Sequence, residues 1–233
     1  MAITYNPRSV LDGLVLSVDA NNIKSYSGSG TSWTDLSRSK VVGTLTNSPT
    51  YSSGYFSLNG STQYVNFGTQ TLGVSAASKT MCAWIYPTSI PNNPTGLLDM
   101  DGNGNIGGAT NYGFGFWLSN TGKLWYWPAD NVDIIDASSS SVSTNKWNFV
   151  SVAYNFSLKT AYFYYNGIFA GSGTTTGTET APATGQNLLI GAARNATLGA
   201  FAGRIACVSL YNRVLTANEI AQNFNATRGR FGI

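Results

Sequence analysis

The chain has no histidine in 233 residues. That absence removes a Ser-His-Asp triad, a Cys-His nucleophile pair, an imidazole general base and a His-ligated zinc site. Charge is scarce as well: charged residues make up 10% of the sequence, where an average soluble chain has about a quarter. Glutamate occurs only at Glu179, in a Thr/Gly segment, and at Glu219. The two cysteines, Cys82 and Cys207, fall inside strand-like runs, so small buried reduced thiols are expected. No apolar run approaches the ~20 residues of a membrane span. The start, Met1-Ala-Ile-Thr-Tyr-Asn-Pro-Arg8, lacks the apolar stretch of a secretory leader, which predicts cytoplasmic synthesis without a signal peptide. A net charge of +3 is too small to point to nucleic acid, and the basic residues lack the clustering of a phosphate footprint.

What the chain does have is material for a core. Apolar residues reach 42% and aromatic residues 13%, enough for a sizeable interior without metal or disulfides. The length suits one large all-β domain over 1–233. The Ser, Thr, Asn and Gly that replace charge on the surface fit a protein in an assembly or in the open environment, or plain compositional bias. Asn166-Gly167 between Tyr162–Tyr165 and Ile168–Ala170 is a type I′ hairpin signal, because both turn positions need positive φ. Phe114–Leu118 and Lys123–Trp127 flank Ser119-Asn-Thr-Gly122 as a second hairpin, and Trp147–Tyr154 reads as a central strand. Ser138–Asn145 and Gly171–Gly185 read as loops. One helix start is convincing: Thr216 stands three residues before Glu219, the spacing of a capping box, and predicts a helix over Ala217–Thr227.

The segment Gly203-Arg-Ile-Ala-Cys-Val-Ser-Leu-Tyr-Asn-Arg-Val-Leu-Thr-Ala-Asn-Glu-Ile220 joins a strand to that capped helix. It resembles the end of laminin G-like domains in the concanavalin A-like lectin/glucanase group. Gly13–Asp19 is similar to the opening strand of those domains, and Trp33-Thr-Asp-Leu-Ser37 to their W-x-D-L-S turn. Phe56-Ser-Leu-Asn-Gly60 with Tyr64-Val65, Ala83-Trp84-Ile85, and Trp147–Tyr154 with Tyr164-Tyr-Asn-Gly167 continue the resemblance in order over about 11–225. It implies an all-β, two-sheet antiparallel jelly-roll sandwich with one short C-terminal helix, a fold used more often to bind than to catalyse. Where many relatives have I-D/E-E-V, this chain has Ile205-Ala206-Cys207-Val208, so no role of those acids carries over.

The enzyme chemistry left open is a carboxylate pair for glycoside hydrolysis. Glucanases of this fold carry E-x-D-x-x-E on one strand, and neither glutamate here has an acid two residues away. Asp99/Asp101 and Asp130/Asp133/Asp136 lie in loop-like contexts. The related alginate lyases need a histidine. The expectation is a non-enzyme.

Two features point to binding. Asp99-Met-Asp101-Gly-Asn103-Gly104-Asn105 matches the first half of a calcium loop, with oxygen ligands at alternate positions and Gly at the turn. The twelfth position is Thr110 rather than a bidentate carboxylate, and an ordinary hairpin loop uses the same residue types. Asp99, Asp101, Asn103 and Asn105 are the candidate Ca2+ ligands. In Trp125-Tyr126-Trp127 the two indoles share one strand face. With Asp130 and Asn131 they form a platform for sugar rings, or else they fill the core between sheets.

From Gly191 onward Arg194, Arg204, Arg213, Arg228 and Arg230 are opposed by Glu219 alone. The ending 226–233 is either a solvated tail or a docking element in which Arg228, Arg230 and Phe231 meet an acidic neighbour. The Tyr211–Ile220 segment and this short basic ending resemble the laminin G-like proteins of tailed phages. That resemblance implies a virion surface component, either a capsid or tail decoration bound to other virion proteins or an adhesin for host-surface glycans. Self-association suits either role.

Overall fold

The computed structural model describes residues 8–100, 113–128, 135–136, 139–176, 187–193 and 199–233. Within them the chain forms strands β1 to β16, one α-helix and a final 3-10 turn. The first sheet runs β14 (Ile168–Thr174), β13 (Thr160–Tyr165), β12 (Asn148–Asn155), β7 (Lys79–Pro87), β16 (Ala202–Tyr211), β5 (Tyr55–Asn59) and β4 (Thr50–Ser52), with β1 (Leu14–Asp19) also on β16. The second runs β11 (Ile135–Asp136), β10 (Leu124–Trp127), β9 (Gly115–Leu118), β8 (Thr95–Asp99), β15 (Asn187–Ile190), β6 (Tyr64–Thr69), β3 (Val42–Thr46) and β2 (Ser32–Thr34). Pairing is antiparallel throughout, and distant strands become neighbours, as β7 with β16 and β8 with β15. This is the jelly-roll sandwich expected from the sequence, with one short C-terminal helix.

Side-chain alternation builds the core between the sheets. Met81, Ala83 and Ile85 of β7 and Val150, Val152 and Tyr154 of β12 meet Phe116, Leu118, Leu124 and Tyr126 of β9 and β10. Trp33 packs edge-on against Phe56 at 4.9 Å. Lys79 is buried in the same core, its Nζ 3.3 Å from the Tyr126 hydroxyl and 4.7 Å from the centre of the Phe114 ring.

The turn motifs prove to be backbone clamps. Asp35 accepts from the Ser17 and Ser37 amides at 2.7 and 2.8 Å and from the Ser37 hydroxyl at 2.6 Å. Asn166 and Gly167 have φ of 48° and 76°, the I′ turn the sequence predicts. The stretch from Gly171, expected as a loop, is strand as far as Thr174, because β13 offers Ala161 and Thr160 as partners for Gly173 and Thr174.

The helix α1 (Ala217–Thr227) begins with the full capping box. It covers the outward face of the first sheet, where Phe224 and Ile220 pack with Trp84, Phe149 and Tyr211. The residues beyond it fold down rather than trail away. Phe231 stacks on Trp84 at 4.0 Å, and Arg230 pairs with Asp19 at 2.7 Å and donates to the Gly54 carbonyl. Arg230 and Phe231 are therefore engaged within the chain, while exposed Arg228 lies 5.8 Å from the Phe224 ring. Cys82 and Cys207 are free thiols on neighbouring strands of this face, and burial pushes Cys82 up to about 12. No helix among the described residues is long and apolar enough to cross a membrane.

Glu219 ties the helix start to the sheet. Arg213 donates to both its oxygens, at 3.0 and 2.5 Å, and Thr216 N–H donates at 2.8 Å, holding the carboxyl at about 2 instead of its ordinary 4.5. A depressed pKa contributes stability that is complete above the unfolded-state value and lost as pH falls through the folded one. Thermal melts should therefore show a loss of stability between pH 4.5 and 2 that Glu219→Gln makes shallower.

Candidate ligand-binding site

β9 and β10 form a hairpin around Ser119, whose Oγ accepts from the Thr121 and Lys123 amides at 3.2 and 3.0 Å. Its register pairs Leu118 with Leu124, Trp117 with Trp125, Phe116 with Tyr126 and Gly115 with Trp127. Since Leu118, Leu124, Phe116 and Tyr126 enter the core, the alternate set Gly115, Trp117, Trp125 and Trp127 lies on the outward face. Neighbouring strands extend that face. Gly96 stands opposite Trp117 and Asp136 opposite Trp125. A second row runs from Gly115 through Asp99, Leu189, Asn66 and Thr44 to Ser32.

Asp99 is fully buried on this face, and its Oδ2 accepts from Trp117 Nε1 at 2.6 Å. Gly115 makes that bond sterically available. A Cβ there would lie 2.2 Å from Trp117 Nε1 and 2.9 Å from Asp99 Oδ2. The Trp117 and Trp127 rings are 5.2 Å apart and tilted by 38°, with Ala193 packed against them. Trp125 leans on this cluster and stays half-buried. Its Nε1 is shielded from solvent and has no hydrogen-bond partner among the described residues. A buried donor left unmatched costs about 1–3 kcal/mol. At the edge, Lys123 and Asp136 approach to 3.9 Å.

The structure thus brings Asp99 and the pair Trp125 and Trp127 onto one face, although the sequence reads them as two separate features. The residue filling the core is Tyr126, and the tryptophans on either side of it look outward. Asp101, Asn103, Asn105, Asp130 and Asn131 lie outside the described residues. Asp99 spends Oδ2 on an indole, and no group of three or more His, Cys, Asp or Glu gathers among the described residues. Trp117 and Gly115 escape the sequence reading. Counting outward from the Ser119–Gly122 turn is the signal that places Trp117 opposite Trp125.

The Laminin_G_3 family model, described as the concanavalin A-like lectin/glucanases superfamily, matches residues 59–221. The chain belongs to the concanavalin A-like lectin/glucanases superfamily. The matched region takes in β6 to β16 and the start of the capped helix, and so contains the tryptophan face. Among solved structures, the Trypanosoma rangeli sialidase in complex with sialic acid is similar with a TM-score of 0.69 and 16% identity, over 98% of this chain and 36% of that one. Domain 4 of AbnA, a GH43 extracellular arabinanase from Geobacillus stearothermophilus, in complex with arabinotriose, is similar with a TM-score of 0.65 and 16% identity, over 90% of this chain and 97% of that one. This superfamily member therefore spans about a third of the sialidase and nearly all of the arabinanase domain. At such identities the likeness is one of fold. No curated protein matches in sequence.

Gly115→Ala must push the Trp117 indole off Asp99. Urea denaturation should show a loss of about 1–3 kcal/mol with altered tryptophan fluorescence. An unchanged midpoint would mean that the indole–carboxylate bond does not hold the cluster.

Proposed function

We propose that the protein is a non-catalytic carbohydrate-binding domain whose sugar site is the tryptophan face of the second sheet. The observation that carries this reading is Trp125, a half-buried indole on the outward face beside the Trp117–Trp127 pair. A sugar ring has an apolar C–H face that packs on the exposed part of such an indole. The arabinanase domain, a sugar complex similar along nearly its whole length, supports a sandwich of this size acting as a binding unit by itself.

The carboxylates support a non-catalytic role. Each described one is already engaged: Asp12 and Glu219 with Arg213, Asp19 with Arg230, Asp35 in its own turn, Asp99 with Trp117 and Asp136 with Lys123. The virion-surface setting rests on the phage-like C-terminal segment. Between its two uses, sugar-bound neighbours of this fold favour attachment to host glycans over decoration.

Calorimetry with arabinotriose and other neutral oligosaccharides, with calcium and with chelator, tests the proposal. Trp125→Ala should weaken binding about tenfold or more, the loss of one buried large apolar side chain. Trp125→Phe, which keeps a smaller ring, should weaken it a few-fold. Chelator-sensitive binding would assign calcium to the Asp99–Asn105 loop. Full affinity in folded Trp125→Ala would move the site off this face.

A further inference from the structure

The outward face of the first sheet carries a second arrangement that the helix does not use. Arg204 of β16 stands opposite Ser57 of β5 and Tyr86 of β7. Its guanidinium carbon lies 4.8 Å from the centre of the Tyr55 ring and 4.5 Å from that of Tyr86. Trp147 meets both tyrosines edge-on, at 5.7 and 5.6 Å, and leans on Phe231 at 4.8 Å. Phe231 in turn stacks on Trp84, so the end of the chain braces the group from behind. Tyr55, Tyr86, Trp147 and Arg204 are all half-buried, neither sealed in the core nor loose on the surface.

The guanidinium is the informative part. It presents five N–H donors in a planar fork suited to a carboxylate. Ring contacts favour its charge but accept no ordinary hydrogen bond. The described carboxylates are all engaged elsewhere, two of them with Arg213 and one each with Arg230 and Lys123. Among the described residues Arg204 therefore has ring contacts and no ion pair. Flat aromatic walls around a single positioned arginine suit a ring-shaped ligand with one carboxylate.

We propose that Tyr55, Tyr86, Trp147 and Arg204 bind a carboxylate-bearing sugar, with the guanidinium taking the carboxylate and the aromatic rings packing on the sugar ring. This shares the carbohydrate reading above but uses the opposite face of the sandwich, so either assignment can fail without the other.

The test is calorimetry with trigalacturonate and with sialyllactose, two sources of the same chemistry, beside neutral arabinotriose. The wild-type protein should bind at least one acidic sugar. Arg204→Gln should weaken that binding roughly tenfold or more, the scale of a lost charge-assisted contact. Arg204→Lys, which keeps the charge and loses the fork, should recover only part of it. Trp125→Ala should leave acidic-sugar binding in place, and Arg204→Gln should leave arabinotriose binding in place. No binding of either acidic sugar by folded protein would overturn the proposal. So would equal affinity in Arg204→Gln, and full recovery in Arg204→Lys would contradict forked recognition. A wild-type protein that binds an acidic sugar but not arabinotriose would refute the tryptophan-face site and leave this one standing.

Discussion

A strand that sends one side chain into a core sends the next one out, and a sandwich therefore has two outward faces to reconcile with water. This chain is rich in aromatics and poor in charge, so it cannot simply coat those faces with lysine and glutamate. The first sheet is covered by α1 and the turn after it, through Trp84, Phe224 and Phe231. A polar seam fixes the position of that cover. Asn223 accepts from the Val10 amide and donates to the Tyr211 hydroxyl, which donates to the Val10 carbonyl. The second sheet answers the same problem with three tryptophans, a glycine that lets one of them reach inward, and a buried carboxylate beneath.

The few charges are used sparingly and in place. Arg213 draws Asp12 and Glu219 together at the helix start, and Arg230 fastens the end of the chain to β1. With the described acids consumed in this way, the Trp125 indole and the Arg204 guanidinium are left half-buried on the outward faces, the latter with ring contacts and no ion pair among the described residues. They lie on opposite faces, the first proposed for a neutral sugar and the second for an acidic one.

Much of this was legible in the sequence. The capping box, the Asn166-Gly167 turn and the Ser119 hairpin are local, and each requires particular residues at particular positions. The sandwich itself followed from strand signals and the ordered resemblance. What stayed hidden was direction. Leu124-Trp-Tyr-Trp127 is apolar on both sides, so alternation shows that the tryptophans share a face without saying which one. Trp117 and Asp99 decide it, and their meeting depends on cross-strand register between β8 and β9. The fate of the basic ending was hidden for a similar reason. Arg230 and Phe231 look like a free tail until Asp19 and Trp84, about two hundred and one hundred and fifty residues earlier, are brought beneath them.

Indole N–H resonances give the most direct test of the central claim, that the tryptophan face of the second sheet receives a neutral sugar. The chain has six tryptophans, distributed over the core, the face covered by the helix and the outward face of the second sheet. Titrating arabinotriose into nitrogen-15-labelled protein should shift the Trp125 indole N–H first and most, with Trp127 and Trp117 following, and should leave Trp33 and Trp84 in place. Saturable shifts confined to Trp84 or Trp147, or none at all at saturating sugar, would contradict the account.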